Sequence, residues 1–217
     1  MKIIITSWLL LWFVPVGWAQ PPSLSESRVG LHASKLVDNA AWSSNGRASN
    51  INSYWPLNAS YQMGVSYGRS TKFTGWETGL TYMQLEGQGL GRIKLNDGSE
   101  PELPMQIQAQ LYMIPLLAKI GLPFRNLRIE AEAGFNILVA SSFRHDFYSP
   151  PNQGPSSLLA SEQQHFVGID YISRAGIGLY YQLPRQMVLG VKSGVLIFPG
   201  SVPRMVYAFE TNIGYRL

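Results

Sequence analysis

The chain has 217 residues, with 17 Lys and Arg against 13 Asp and Glu, and its charged fraction of 14% is well below the roughly 25% usual in soluble globular domains. So small a basic surplus gives no electrostatic argument for nucleic acid, and the absence of cysteine excludes a disulfide framework and thiolate metal sites. Plentiful Gly and aromatic residues leave much surface that need not face water.

At the N-terminus, Lys2 precedes an apolar run from Ile3 to Val16 and the small residues Gly17 and Ala19, the layout of a cleaved export signal over 1–19. The run is too short to span a bilayer, and no later stretch is an apolar helix of spanning length. A membrane location therefore requires strands. The rest, 20–217, reads as one β domain.

Period-two alternation predicts strands near 28–36, 59–69, 74–85, 105–120, 127–140, 165–183, 186–196 and 205–217. Within 127–140, Leu127, Ile129, Ala131, Ala133, Phe135, Ile137 and Val139 oppose Arg128, Glu130, Glu132, Gly134 and Asn136. In the last strand Met205, Tyr207, Phe209, Ile213 and Tyr215 oppose Glu210, Asn212 and Arg216, a separation that a helical period would scramble. Over 105–120 the glutamines 106, 108 and 110 share one parity and Lys119 the other, so a β-bulge is expected at Pro115.

Links near 70–73, 121–126 and 184–185 are short, whereas 37–58, 86–104 and 141–164 are long and rich in Ser, Asn, Gly and Pro. An even number of strands with alternating short and long links fits an eight-stranded antiparallel up-and-down transmembrane barrel of a Gram-negative outer membrane. Both termini would then be periplasmic and the long links external. Tyr61, Tyr67, Trp76, Tyr82, Tyr171, Tyr181, Tyr207 and Tyr215 fall where interfacial girdles are expected.

The opening RVGLHASKL (28–36), the segments LYMIPLLAKI (111–120) and RIEAEAGFNILVAS (128–141), and the closing FETNIGYRL (209–217) resemble the PorT-like family of small outer-membrane barrels. The resemblance implies a membrane barrel inserted by the barrel assembly machinery, with a structural, binding or secretion-accessory role.

The inward faces collect Arg28, His32, Glu77, Lys119, Arg128, Glu130, Glu132, Asp170, Arg174, Lys192, Glu210 and Arg216. Eight strands enclose a bore that side chains fill, and charges there must find partners, so a polar plug is expected rather than a diffusion channel. A lipid-modifying enzyme is the alternative: it would draw on His145, Asp146, Ser141, Ser142, Ser149 and His165, provided base and nucleophile meet. A third reading, a soluble lipocalin-like barrel, requires an apolar interior and a polar outside. The glycines of GQGLG (87–91) read as a flexible loop, and the three histidines lack metal-ligand spacing, so neither a metal nor a cofactor is proposed. Trp42, Tyr54, Trp55, Phe143, Phe147 and Tyr148 in the long links are candidate contacts for an envelope or extracellular protein, a glycan or a lipid.

Overall fold

The computed structural model describes residues 26–38, 60–92, 98, 101–150, 157–166, 170–198 and 204–217. The export-signal segment and Trp42, Tyr54 and Trp55 lie outside the described residues. Nine strands carry nearly all the rest: β1 (Glu26–Asp38), β2 (Tyr61–Ser70), β3 (Thr74–Arg92), β4 (Glu102–Phe124), β5 (Leu127–Tyr148), β6 (Leu158–Phe166), β7 (Asp170–Gln182), β8 (Met187–Phe198) and β9 (Arg204–Arg216).

Every pairing is antiparallel, and the ring β1-β2-β3-β4-β5-β7-β8-β9 closes on itself. The seam joins β1 to β9, with Arg28 opposite Arg216 and Val37 opposite Tyr207. The ring is therefore an eight-stranded barrel. The strand expected over 165–183 is two segments on the same flank of β5: β7 pairs with Leu127–Leu138, and β6 pairs with Ser141–Tyr148.

Tight turns close one end. Ser70 opposite Gly75 brackets a link in which Thr71 Oγ1 accepts the Thr74 N–H at 3.1 Å. Phe124 opposite Leu127 leaves only Arg125 and Asn126 to turn, with Arg125 at φ 52°, and a short 3-10 turn over Pro184–Gln186 links β7 to β8. Positive φ suits the twist of a tight hairpin, although Gly or Asn would adopt it at less cost.

At the opposite end the hairpins are much longer than the alternation suggested. Residues 86–92, 102–104, 141–148 and 158–164, expected as loop, are strand. GQGLG is likewise strand rather than flexible loop: Gly87, Gly89 and Gly91 face Ile107, Met105 and Leu103, so side-chain-free positions sit opposite bulky ones. Phe143, Phe147 and Tyr148 are correspondingly on β5 rather than in a loop; Phe147 is buried and Phe143 packs against the core.

The interior changes character along the barrel axis. Toward the turn end it holds Glu77, Lys119, Glu130, Glu132, Arg174, Lys192 and Glu210, all buried, while Val29, Leu31, Met63, Val65, Leu80, Leu116, Ile120, Ile177, Val191, Phe209 and Ile213 stand exposed outside. Above that layer the interior becomes mainly apolar, with Leu36, Met83, Leu111, Met113, Leu138, Ile172, Leu196 and Val206 in one cluster, beside the buried polar Gln62, Asn136 and Ser141, and Leu103, Met105, Ile107 and Phe147 in a second. Outside the second cluster the face carries polar residues such as Gln88, Gln106, Gln108 and Ser161, and toward the hairpin tips it turns apolar at Leu90, Leu158 and Leu159.

This change explains where the bulge lies. Burial on β4 alternates without a break from Leu103 to Gly121, so Pro115 causes no slip. Gln106, Gln108 and Gln110 point outward because the bore beside them is apolar. The extra residue is Val139 on β5, between the pairs Met113–Leu138 and Tyr112–Ala140. Glu130 and Glu132 face the enclosed volume, opposite to the outward placement a lipocalin-like barrel demands.

Candidate functional site: a buried ionic layer

The ionic layer is built from alternate residues of β1, β3, β4, β5, β7, β8 and β9, whose shared parity turns them inward. Lys192 Nζ reaches three carboxylates: Glu210 at 2.9 Å, Glu132 at 3.2 Å and Glu77 at 3.3 Å. Lys119 Nζ donates to Glu77 Oε2 at 2.6 Å and Glu130 Oε2 at 3.3 Å. Arg174 spans Glu132 and Glu210, donating to each at 2.9 Å. Arg28 Nη2 lies 3.4 Å from Glu130 and 3.8 Å from Glu77.

Four carboxylates thus interleave with four cations. Arg128 closes the layer toward the turn end, donating to Glu130 Oε1 at 2.7 Å and to the Thr71 carbonyl at 3.1 Å. Each buried charge has an opposite partner, the condition under which a low-dielectric interior tolerates ions. Breaking one pair would strand the remainder.

His32 adjoins this layer, its Nε2 3.4 Å from Thr81 Oγ1. Its ring occupies space beside Gly64: a Cβ there would come within 2.8 Å of the imidazole. Two residues of the same parity stay outside the network. Asp170, at the start of β7, is exposed and accepts its neighbour's N–H, from Tyr171, at 2.8 Å. Arg216, at the turn-end rim, pairs with Glu26. Parity gives each the inward face, but height along the barrel takes both away from the ionic layer.

Tyr180 is the inward residue that alternation left without a role. It is 2% exposed, with Arg28 Cζ 4.4 Å and Lys119 Nζ 5.5 Å from its ring centroid, so its π face shares the cations with the carboxylates. Gly190 lies opposite Tyr180 across the β7–β8 pair, and a Cβ at Gly190 would meet the ring at 2.5 Å. The available signal was Gly178 and Gly190 flanking an aromatic of lumenal parity.

The candidate catalytic residues divide between the two faces of the sheet, Ser141 and His145 inward, Ser142, Asp146 and His165 outward. Alternation sends Ser141 inward and Ser142 outward, and puts His145 and Asp146 on opposite faces of β5. Asp146 Oδ1 accepts from Ser161 Oγ at 2.6 Å and Arg144 Nε at 3.0 Å. The first of these, aided by Arg144, holds the carboxyl below its ordinary value of 3.8. Ser149 Oγ accepts the Ser157 N–H at 2.9 Å at the hairpin tip. His165 stands opposite Ser142 on the outward face, where Gln163 Nε2 donates to Ser142 Oγ at 3.4 Å.

The pairing and the interior together define a closed, eight-stranded antiparallel β-barrel with a charge-paired core. No family model matches the chain, and no curated protein matches it. Several solved structures are similar to it. Ail, the attachment invasion locus protein of Yersinia pestis, is 13% identical, with 89% of this chain and 97% of Ail covered at a TM-score of 0.41. Neisserial surface protein A is 9% identical, with 89% and 96% covered at 0.41. The outer membrane protease OmpT from Escherichia coli is 8% identical, with 90% and 97% covered at 0.42. The barrel assignment rests on this chain's own strand register.

Proposed function

We propose that this protein is a non-enzymatic, integral outer-membrane barrel: a sealed anchor in lipid that holds a sheet outside the membrane. One observation carries the reading, the reversal of polarity along the barrel. Beside the ionic layer the outside is oily and the inside charged, as lipid demands; over the next three rows of β3–β6 the outside is polar and the inside oily, as water demands, before the tips turn apolar at Leu90, Leu158 and Leu159.

The dimensions agree. Along β4 the outward residues Tyr112, Ile114, Leu116, Ala118, Ile120 and Leu122 form the apolar side. At about 3.4 Å per residue and a tilt of 35–45°, they cover roughly 25 Å, the height of the lipid-facing band in such barrels. Aromatics mark both borders of that band. Tyr67 packs on Trp76 at 5.5 Å near the turns, while Tyr61, Tyr82 and Tyr112 form a ladder at 6.1 and 5.3 Å toward the long hairpins. Such rings are at home where lipid meets water. With the tight turns on the periplasmic side, both termini are periplasmic.

The ion-paired layer supports a plug rather than a channel, and a non-enzymatic role is supported by Asp146 being held by Ser161 and Arg144, and Ser142 by Gln163, rather than either by a histidine. A secretion-accessory role, implied by the PorT-like segments, stands on those sequence segments alone.

The test has two arms. The protein should fractionate with the outer membrane and migrate differently in gels before and after heating. Folded into planar bilayers, it should leave conductance at the background level. Recovery as soluble periplasmic protein would overturn the anchor, and discrete conductance steps would overturn the plug.

A further inference from the structure

The four strands that rise above the Tyr61–Tyr82–Tyr112 ladder place polar residues in register on their outward face. One row across β3, β4, β5 and β6 reads Gln84, Gln110, Ser142, His165; the next Glu86, Gln108, Arg144, Gln163; the third Gln88, Gln106, Asp146, Ser161. All twelve positions are polar, and the first row follows directly on the outward pair Tyr82–Tyr112. Strands about 4.8 Å apart and side chains repeating about every 6.8 Å make this a face of roughly 14 Å by 14 Å.

We infer that this face binds the saccharide headgroups of an outer-leaflet glycolipid. The inference rests on the membrane placement proposed above. Three observations select that ligand. The first is height: each two-residue step climbs about 5 Å at barrel tilt. The upper rows therefore stand above the phospholipid headgroup layer, about 5–7 Å deep on each side. A lipid must carry sugars to cover them.

The second is charge. The only cation of the lysine and arginine type is Arg144, against the carboxylates of Glu86 and Asp146, and Arg144 already donates to Asp146. A phosphate would find little attraction here, whereas neutral hydroxyls would not be repelled. The third is the donor set. Gln84 is engaged by Tyr61, Tyr82 and Glu86, and the Gln106 oxygen by Tyr148. The planar amides of Gln108 and Gln110 offer a donor and an acceptor side by side, the arrangement that pairs of adjacent sugar hydroxyls match, and the Tyr82 and Tyr112 rings below offer an apolar surface to the ring faces of the first sugar.

The chain lacks cysteine, so single reporters can be introduced cleanly. Gln108→Cys, Leu116→Cys and Ser157→Cys variants are folded into phospholipid vesicles with or without lipopolysaccharide bearing its core sugars, then treated with a water-soluble maleimide. The expected result is severalfold slower labelling of Gln108→Cys only where core sugars are present, with Ser157→Cys at the hairpin tip unchanged. Leu116→Cys should be silent throughout; its labelling would sink the membrane placement itself. Equal labelling of Gln108→Cys in both vesicles, with Leu116→Cys silent, would overturn the glycolipid face and leave the barrel reading intact. Cross-linking of Gln108→Cys between copies in sugar-free vesicles would also overturn it, making the face an interface between copies. To separate binding from crowding, the Gln106→Ala, Gln108→Ala, Gln110→Ala triple variant is extracted in detergent alongside the parent. Severalfold less lipopolysaccharide should be retained by the triple variant; equal retention would overturn the inference.

Discussion

At Lys192 a single ammonium holds three carboxylates, from β3, β5 and β9, within 3.3 Å. Lys192→Ala removes one cation and leaves Glu77, Glu132 and Glu210 to share Lys119 and Arg174, so a loss of up to about 3–5 kcal/mol is expected, read as a lower urea midpoint of the folded barrel in detergent. Adding Glu210→Gln should return part of it, because the pair then departs together; a double variant no better than the single would contradict the ion-pair account. Asp146 offers a pH prediction outside the proposed lipid band. Its folded carboxyl titrates below 3.8, chiefly through the Ser161 hydroxyl. The contribution is therefore present above the unfolded value and lost as the pH falls through the folded one. Ser161→Ala should raise the Asp146 titration midpoint, seen by carboxyl NMR, and lessen the stability that the outer sheet loses on acidification. The residue scale also shows what alternation can supply. Parity is local, so Glu130, Glu132 and Lys119 could be set inward from sequence; height is not, so Asp170 and Arg216 carried the right parity to the wrong level.

Among the elements, β4 and β5 differ in one respect that length alone does not reveal. β4 is regular throughout, whereas β5 carries Val139 as a supernumerary residue. Deleting Val139 should leave Met113–Leu138 and Tyr112–Ala140 as consecutive pairs, and the shortened chain should retain heat-modifiable migration. Deleting Ile114 from β4 should instead turn Leu103–Met113 over to the wrong face, since a one-residue slip exchanges inside and outside, and folding should fail in the same gel assay. The reverse result would show that the bulge, not the regular strand, fixes register. The position of Val139 is not legible in the sequence because the parity change between the glutamines of β4 and Lys119 points to a slip at Pro115 instead. A bore that becomes apolar above Met113 removes the need for any slip there. The strand order, by contrast, followed directly from the short turns, which force each neighbour in sequence to be a neighbour in space.

Across the whole molecule, stability depends on which solvent each zone meets. Leu80 is 61% exposed on the outside of β3, level with the charged interior. In the membrane reading Leu80→Arg should cost about 2–4 kcal/mol if it lies near the midplane, measured by reversible folding into vesicles. The same change in a protein surrounded by water would fall within about 0.5 kcal/mol, so the measurement separates the two settings. The two-zone interior was half legible: the charged layer announces itself in 127–140, but the apolar upper core reads as loop composition until the hairpin partners are known. Leu103, Met105 and Ile107 gain meaning only opposite Gly91, Gly89 and Gly87.

The join between β1 and β9 has a consequence for how the polypeptide can be cut. Leu217 donates its N–H to the Ser27 carbonyl at 2.9 Å, and Glu26 and Arg216 meet at the same rim. The start of the described strands and the end of the chain are thus adjacent, and the circle has no privileged origin. A circularly permuted gene opened between Arg125 and Asn126, with a few glycines bridging 217 to 26, should yield the same cylinder.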